Sequence, residues 1–473
     1  MTLREVLGAA ARDAPPVAVR GLAYDNRLVT PGTLFFCVPG FTRDGHDFAP
    51  DAVARGAAAL VVERPLGTPV PEVRVADVRA AMAPAAAAFH GDPTRTLRAV
   101  GITGTNGKTT TAFLVRGLLE AAGRPTGLVG TITAVVGGEE RPMVRTTPEA
   151  IDLQRMFAEM RDAGDEAVVM EVSSHALQLH RADAIHWAVA IFTNLTQDHL
   201  DFHPTMEDYF AAKRRLFESG PEVAVINVDD PYGARLARDV PDAVTIGIDS
   251  PDARLRATGV ESDATGSSFT VDGVALRAPL PGRFNVLNVL GAVAAVRALG
   301  VDDATIAEAL PHVARVPGRF EPVDEGQPFA VLVDYAHTPD SLDNVLRAAR
   351  PLAAGRLIVV FGAGGDRDRA KRPLMGAVAC ERADVVIVTS DNPRSEEPEA
   401  IIAAILEGCG PGAEVEPDRR TAIERAVGMA GSGDVLVIAG KGHEQGQELA
   451  GGQKVPFDDV TVAREALRAR LVA

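Results

Sequence analysis

The chain has 473 residues, with 48 Lys plus Arg against 64 Asp plus Glu and a formal net charge of −16. That balance excludes nonspecific binding to nucleic acid or to an anionic membrane surface, so positive charge for any anionic ligand must be gathered locally. Hydrophobic residues make up 46% and aromatic residues 5%, so Ala, Val and Leu must fill the cores of a chain long enough for about three domains.

Residues 1–93 read as a small α/β unit. Strands are expected at Thr33–Val38 and Ala57–Val62, and helices at Asp47–Arg55 and Asp77–Phe89. The turn-rich segment His90–Thr94 makes a linker. A second block, 94–318, begins with the apolar run Leu97–Ile102, the loop Gly101-Ile-Thr-Gly-Thr-Asn-Gly-Lys-Thr-Thr110 and a helical pattern over Thr109–Ala122. A glycine-rich turn between strand and helix aims backbone N–H groups and the positive helix end at a phosphate. Counting back from Gly107, the first glycine of the standard P-loop would fall on Ile102, so this is a variant loop. Gly104, Thr105, Asn106, Gly107, Lys108, Thr109 and Thr110 are the expected ATP-binding residues. Lys108 would reach the outer phosphates and the Thr109 hydroxyl would sit on Mg²⁺.

Further along, buried strands are expected at Ala167–Val172, Trp187–Leu195 and Val223–Asn227. Hairpin material follows at Ala253–Pro279, with Asp272-Gly273 as a turn. Glu171, in Glu171-Val-Ser-Ser-His-Ala-Leu177, ends one of these strands, where an open α/β sheet presents catalytic groups, and is a candidate Mg²⁺ ligand. His199 stands between Asp198 and Asp201. The residues alone leave open whether it is structural or a second ligand. Lys213 lies on a helix with Arg214 and Arg215 beside it. The chain holds only five lysines, Lys108, Lys213, Lys371, Lys441 and Lys454, so a lysine kept here could have a reactive role, such as taking up CO₂ to form a metal-binding carbamate. The residues leave that open as well.

The third block begins near Glu321. Strands at Phe329–Val333, Arg356–Phe361, Val385–Thr389 and Val435–Ile438 alternate with helices at Leu342–Ala349, Arg372–Ala383 and Glu399–Glu407, which indicates a parallel sheet with crossover helices. Cys37, Cys380 and Cys409 stand apart in apolar surroundings, fitting neither a disulfide framework nor a zinc motif. With no signal peptide and no apolar run of about twenty residues, a soluble cytoplasmic protein is expected.

Taken together, Gly-Thr-Asn-Gly-Lys-Thr109, Glu171-Val-Ser-Ser-His175, Asn194-Leu-Thr-Gln-Asp-His-Leu-Asp201, Tyr209-Phe-Ala-Ala-Lys213, Arg283-Phe-Asn-Val-Leu-Asn288, Val316-Pro-Gly-Arg-Phe-Glu321 and Asp334-Tyr-Ala-His-Thr-Pro-Asp340 resemble the Mur ligases of peptidoglycan synthesis over essentially the whole chain. Within that family the likeness is greatest to the diaminopimelate-adding branch. The resemblance implies an α/β protein of three domains: a small N-terminal uridine-binding domain (1–93), a central P-loop ATPase-like parallel-sheet domain (94–318) and a C-terminal Rossmann-like domain (319–473) that binds the amino acid. It also implies ATP and Mg²⁺, with Thr109, Glu171, His199 and Lys213, the last as N6-carboxylysine, around the metal. Lys108, Glu171, His199 and Lys213 are then the catalytic set. Asn288 and Arg319 match nucleotide contacts, and Asp334 matches the residue that holds the ribose. Asn26, Thr146, Thr147, Ser173 and Arg181 match positions for the UDP-sugar dipeptide, here UDP-MurNAc-L-Ala-D-Glu. A monomer is expected.

The amine is read from the third block. Asp391-Asn392-Pro393-Arg394 follows a strand, where a parallel sheet binds ligands. An arginine fork suits the second carboxylate of meso-diaminopimelate, which lysine lacks. In the resembling family this segment marks the diaminopimelate enzymes, and Arg367, Gly440 and Glu444 complete the pocket. Asn26 in place of serine, Phe41–Arg43 and Leu179 depart from the family pattern, and Gly446 stands where an aromatic residue is frequent. The rivals are folylpolyglutamate synthase, a lysine-adding ligase and a noncatalytic ATP-sensing regulator.

Overall fold

A computed structural model describes residues 1–263, 265–410 and 412–472. Ala264, within the expected hairpin stretch Ala253–Pro279, and Pro411 and Ala473, within the third block, lie outside the described residues. The chain divides into two units. One comprises Met1–Thr103, Gly123–Ala190 and Ala212–Ala224, and the other Gly104–Ala122, Ile191–Ala211 and Val225–Ala473.

In the first unit an all-parallel sheet runs in the order Gly21–Ala23, Thr33–Phe36, Ala57–Val62, Glu72–Arg74. Alternate residues serve opposite cores, as a period of two requires. Leu34, Phe36, Ala59 and Val61 pack with Val78 and Met82 of helix Val78–Phe89, while Phe35, Cys37, Leu60 and Val62 pack with Ala49 and Ala52 of helix Ala49–Ala54. A fully buried Val, Leu, Phe or Met side chain in these cores contributes about 1.5–3 kcal/mol. A second sheet joins Arg98–Thr103, Ala167–Glu171 and Thr126–Val129 in parallel, then Thr133–Val136 and Glu139–Pro142 antiparallel. The expected parallel sheet is thus mixed at this edge. Gly137 and Gly138, at φ 57° and 83°, close a two-residue turn that only antiparallel strands can use.

In the second unit Val225, Ile226 and Asn227 pair in parallel with Val244–Gly247, which pairs in parallel with Leu255–Asp263, and Gly266–Val271 and Val274–Ala278 follow antiparallel. Val271 pairs with Val274 across the Asp272-Gly273 turn, both of whose residues have positive φ. Helix Lys108–Ala121 packs on helix Arg283–Ala298.

Another sheet of this unit runs Glu321–Pro322, Ala330–Asp334, Val435–Ala439, Leu357–Phe361, Val385–Val388, Glu414–Val415, parallel except at the first pair. Leu357, Val359 and Phe361 meet helices Pro339–Ala349, Lys371–Arg382 and Pro398–Leu406, while Ile358 and Val360 meet helix Arg419–Met429. The expected alternation of strand and helix holds here. Its carboxyl ends deliver Asp334, the Gly364–Asp368 loop, Asp391–Arg394 and Gly440–Glu444 to one edge of the sheet. One expectation is corrected: Cys380 and Cys409 do not stand apart but are close enough to interact, and burial, with the neighbouring Cys380 thiol, pushes Cys409 up to about 12, while its Sγ donates to Gly376 O at 3.3 Å. Among the described residues no helix is long and apolar enough to cross a membrane.

Candidate functional site

The phosphate-type loop lies in the second unit. Gly104 and Gly107 have φ of 150° and 85°, and a Cβ on either would overlap Thr193 or Asn288, so both backbone form and close approach demand glycine. Gly107 is the N-cap of helix Lys108–Ala121 and supplies no side-chain cap. Two N–H groups of the loop are committed to the fold: Thr105 N donates to Asn194 O and Asn106 N to Asn194 Oδ1, each at 2.9 Å. Anion contacts therefore fall to the helix start from Gly107 onward. Lys108 Nζ curls onto the loop and donates to Gly104 O and Thr105 O at 2.9 and 2.8 Å. Asn106 Nδ2 donates to Asp340 Oδ2 at 2.8 Å.

A cavity of about 630 Å³ adjoins this loop, lined among others by Asn106, Gly107, Asn288, Arg319 and Asp334. Arg319 Nη2 donates to Thr109 Oγ1 at 3.1 Å, and its guanidinium stacks over Tyr335 with 4.6 Å to the ring centroid. Arg319 Nε is buried without a hydrogen-bond partner. Asp334 is buried, and its two oxygens accept from Phe320 N and Ala336 N, each at 2.7 Å. Burial nevertheless lifts its carboxyl to about 6, against the pull of Arg319 and those donors.

Beside the loop, Asp198 is buried with Lys371 Nζ at 3.3 Å, His199 Nε2 at 3.4 Å and His337 Nε2 at 3.8 Å. Burial alone would raise Asp198, but His199 and Lys371 outweigh it and hold the carboxyl well below the ordinary range. Burial and the Lys371 charge push His337 down, and its Nδ1 donates to Tyr335 O at 2.7 Å.

At the same sheet edge the amino-acid candidates gather. Glu444 accepts from Asn392 Nδ2 at 2.8 Å, Lys441 Nζ at 3.1 Å and Tyr335 Oη at 3.3 Å. Asp391 lies against Gly440, whose Cβ, if present, would approach its carboxylate to 2.5 Å. Arg394, at φ 53°, donates from Nε to Glu448 Oε2 at 2.9 Å and from Nη1 to Gly365 O at 2.8 Å. A Cβ on Gly364 would sit 3.0 Å from Arg394 Nη1 and 3.8 Å from Arg367 Cγ, so the glycine leaves two arginine stems beside one open spot. Pro393 forms the turn between them, its carbonyl pressed on Gly365. Gly446 is not demanded by the backbone, since a Cβ there would meet Val455 O at an ordinary 3.4 Å.

In the first unit, Glu171 is buried and accepts from Thr131 N at 2.8 Å and Thr131 Oγ1 at 3.0 Å. Thr146 Oγ1 lies 3.1 Å from Thr131 Oγ1, and Thr147 Oγ1 donates to Glu171 O at 2.9 Å and lies 3.4 Å from Ser173 Oγ. Arg181 donates to Thr147 O at 3.3 Å and pairs with Glu149 at 2.8 Å. Four of the five dipeptide candidates therefore cluster. Asn26 is elsewhere in the unit, with its amide donating to Asp51 at 2.7 Å. Lys213 is buried, one helical turn after Tyr209 on helix Met206–Glu218.

Three family models match the chain: the Mur ligase middle domain over residues 102–296, the Mur ligase, glutamate ligase domain over 318–442, and the Mur ligase family, catalytic domain over 18–90. The chain belongs to the Mur ligase family. Like its members, it is an ATP-dependent ligase. It is 50% identical over 468 residues to a Geobacillus thermodenitrificans (strain NG80-2) protein named UDP-N-acetylmuramoyl-L-alanyl-D-glutamate--2,6-diaminopimelate ligase, covering 95% of each chain. A Streptomyces coelicolor protein of the same name is 47% identical over 486 residues, covering 98% of this chain and 96% of that one. Among solved structures, a ligase of that name superposes with TM-score 0.72 at 33% identity, covering 100% of this chain and 99% of the other. Mycobacterium tuberculosis folylpolyglutamate synthase, complexed with ADP and AMPPCP, reaches TM-score 0.63 at 22% identity over 82% of this chain, a likeness of fold alone.

The motifs do not announce which residues meet in the candidate site of this Mur ligase. Asn194 ties down the loop, Asp340 holds Asn106, and Glu448 holds Arg394, each from a distant part of the chain. Lys371 and Lys441 carried a signal, the scarcity of lysine, but no indication of which carboxylates they would meet.

Proposed function

We propose that this Mur ligase joins meso-2,6-diaminopimelate to the D-glutamyl carboxylate of UDP-MurNAc-L-Ala-D-Glu, consuming ATP. The observation that carries the reading is the Asp391–Arg394 turn at the end of Val385–Val388, with Arg394 and Arg367 flanking Gly364 and Glu444 held nearby. A carboxylate-reading arginine pair and a carboxylate for the distal ammonium suit an amine that carries both groups. The names of relatives that align over nearly the whole chain support the same amine.

A carboxylate is a poor electrophile, so the glutamyl oxygen first takes the γ-phosphoryl group of ATP, giving an acyl phosphate and ADP. The neutral amine of diaminopimelate then attacks the acyl carbon, an amide forms, and phosphate leaves. Lys108 and Arg319 offset the charge that moves with the phosphoryl group. Asn288 and the loop Gly104–Thr110 orient the nucleotide, and Asp334 takes the ribose hydroxyls. Thr146, Thr147, Ser173, Arg181 and Asn26 are assigned to the UDP-sugar dipeptide.

Mg²⁺ is assigned by motif to Thr109, Glu171, His199 and Lys213. The donor chemistry of Glu171 fits a hard cation, since a buried carboxylate is the oxygen ligand such an ion takes. When bound, the ion neutralises phosphate oxygens and lowers the cost of transfer. A carbamate on Lys213 forms from the amine and CO₂ with release of one proton. We place the domains at 1–93, 94–318 and 319–473 and take the enzyme as a cytoplasmic monomer.

The test is phosphate release with ATP, Mg²⁺ and UDP-MurNAc-L-Ala-D-Glu, comparing diaminopimelate, lysine and no amine. Release with diaminopimelate, lost in Arg394→Ala, is expected. Release with lysine alone, or unchanged diaminopimelate kinetics in Arg394→Ala, would overturn the reading.

A further inference from the structure

Beyond the residues that touch the amine, one side chain decides how Arg394 is presented. The strand Gly446–Glu448 pairs antiparallel with Lys454–Pro456 and lies along the Asp391–Arg394 turn. Glu448 alone makes three contacts with that turn. Its N–H donates to Asn392 Oδ1 at 2.9 Å, its carbonyl accepts from Arg394 N at 3.1 Å, and its carboxylate accepts from Arg394 Nε at 2.9 Å. Gln447 adds a fourth, donating from Nε2 to Asp391 O at 2.6 Å.

An arginine has five N–H donors on a planar fork at the end of a flexible stem. Here Glu448 fixes Nε and Gly365 O fixes one hydrogen of Nη1, and Nη2 takes part in neither contact. The plane of the fork is thereby set, and its Nη edge is the part left for a ligand carboxylate. Without Glu448 the stem would have to be ordered at the moment of binding, which weakens affinity.

We propose that Glu448 is a positioning residue for amine selection: it holds the Arg394 fork so that its Nη edge reads the distal carboxylate of the incoming diamino diacid. This rests on the proposed function and goes further by assigning the selectivity to a residue that need not touch substrate. The same carboxylate dilutes the positive charge of the pocket. The site therefore favours a ligand with a carboxylate at the right distance over anions in general.

The experiment measures KM for each of the three substrates, and kcat, in wild type, Glu448→Ala and Glu448→Gln, with diaminopimelate and with lysine as amine. The expected result for Glu448→Ala is a diaminopimelate KM raised about tenfold or more, as for a lost charge-assisted contact. KM for ATP and for the UDP-sugar should stay near wild type, with kcat little changed and the preference over lysine narrowed. Glu448→Gln should fall between, because its Oε1 still accepts from Nε without the charge. An unmoved diaminopimelate KM in Glu448→Ala overturns the inference. So does a parallel rise in all three KM values with a lowered melting temperature, the mark of a merely structural hairpin. A wild-type enzyme that uses lysine and not diaminopimelate overturns the proposed function, and this inference with it, before any variant is compared.

Discussion

Asp334 offers a prediction whose size can be worked out beforehand. Its side chain is 6% exposed at the end of the strand Ala330–Asp334, and burial raises its carboxyl to about 6. At pH 7 about nine chains in ten carry the ionised form, and at pH 5 about one in ten, since one pKa unit is a tenfold ratio. Ribose hydroxyls donate to a carboxylate far better than to a protonated carboxyl. ADP affinity should therefore fall about tenfold between pH 7 and pH 5. The sign for folding runs the other way. This acid is protonated more readily in the folded chain than in the unfolded one. Its contribution to stability is full below about 4, the unfolded value, and is lost as pH rises to about 6, roughly 3 kcal/mol in all. Bound nucleotide favours the ionised form, so the stabilisation ADP confers should grow across that window.

The assay is calorimetric titration with ADP from pH 5 to pH 8 in wild type and Asp334→Asn. The phosphates of ADP titrate in the same range, and the variant supplies that background. Asparagine is a demanding control, because both Asp334 oxygens accept backbone N–H donors and either amide orientation sets an NH₂ against one of them. That costs about 1–3 kcal/mol and should weaken ADP at every pH. Equal pH slopes in the two proteins, or a flat wild-type profile between pH 5 and pH 7, would refute the reasoning.

Two further outcomes follow from the buried lysines. Lys213→Arg should lose most of its activity, since a guanidinium cannot take up CO₂, while Lys213→Ala should recover part of it in added formate or acetate; full activity in Lys213→Arg would rule out a carbamate. Lys371→Met leaves the buried Asp198 without its ammonium partner and should cost about 3 kcal/mol or more in urea denaturation. Adding Asp198→Asn should then cost less than it does alone, and strictly additive losses would show that the pair is not coupled.

How much of this was legible depends on whether the signal is local. Ala57–Val62 and Val223–Asn227 are continuous apolar runs, and their observed bounds coincide with those read from the sequence. Asp272-Gly273 announces its turn because both positions need positive φ. Glu139–Pro142 carried no such mark: it is a largely exposed edge strand of polar residues. Helix Arg283–Ala298 was hidden for the opposite reason, being buried on nearly all sides and so lacking an amphipathic period. In the candidate site, the loop and the Asp391–Arg394 turn stand out as motifs. The contacts that orient them do not, because Asn106 with Asp340 and Arg394 with Glu448 meet only after the strands between them have found their order.

The scarcity of lysine shows what a compositional clue can and cannot say. In a chain that uses arginine for general positive charge, Lys213, Lys371 and Lys441 are each less than 5% exposed. Reactivity was the natural explanation for keeping an amine, yet geometry suffices for one of them. Lys441 Nζ has Asn392 Oδ1 at 2.9 Å, Glu444 Oε2 at 3.1 Å and Asp391 Oδ1 at 3.9 Å around one nitrogen. A compact ammonium with three donors serves acceptors converging from several directions, whereas a planar fork would spread its donors past them. Lys371 Nζ reaches a single buried carboxylate, Asp198 Oδ1, at 3.3 Å. The contrast with Arg394 is instructive: there the fork is held from one side by Glu448 and Gly365, which leaves an edge for a planar carboxylate. The chemistry of each acceptor set selects the cation, so lysine marks points where charges converge and arginine marks the place where, in the proposed function, a ligand's carboxylate is read.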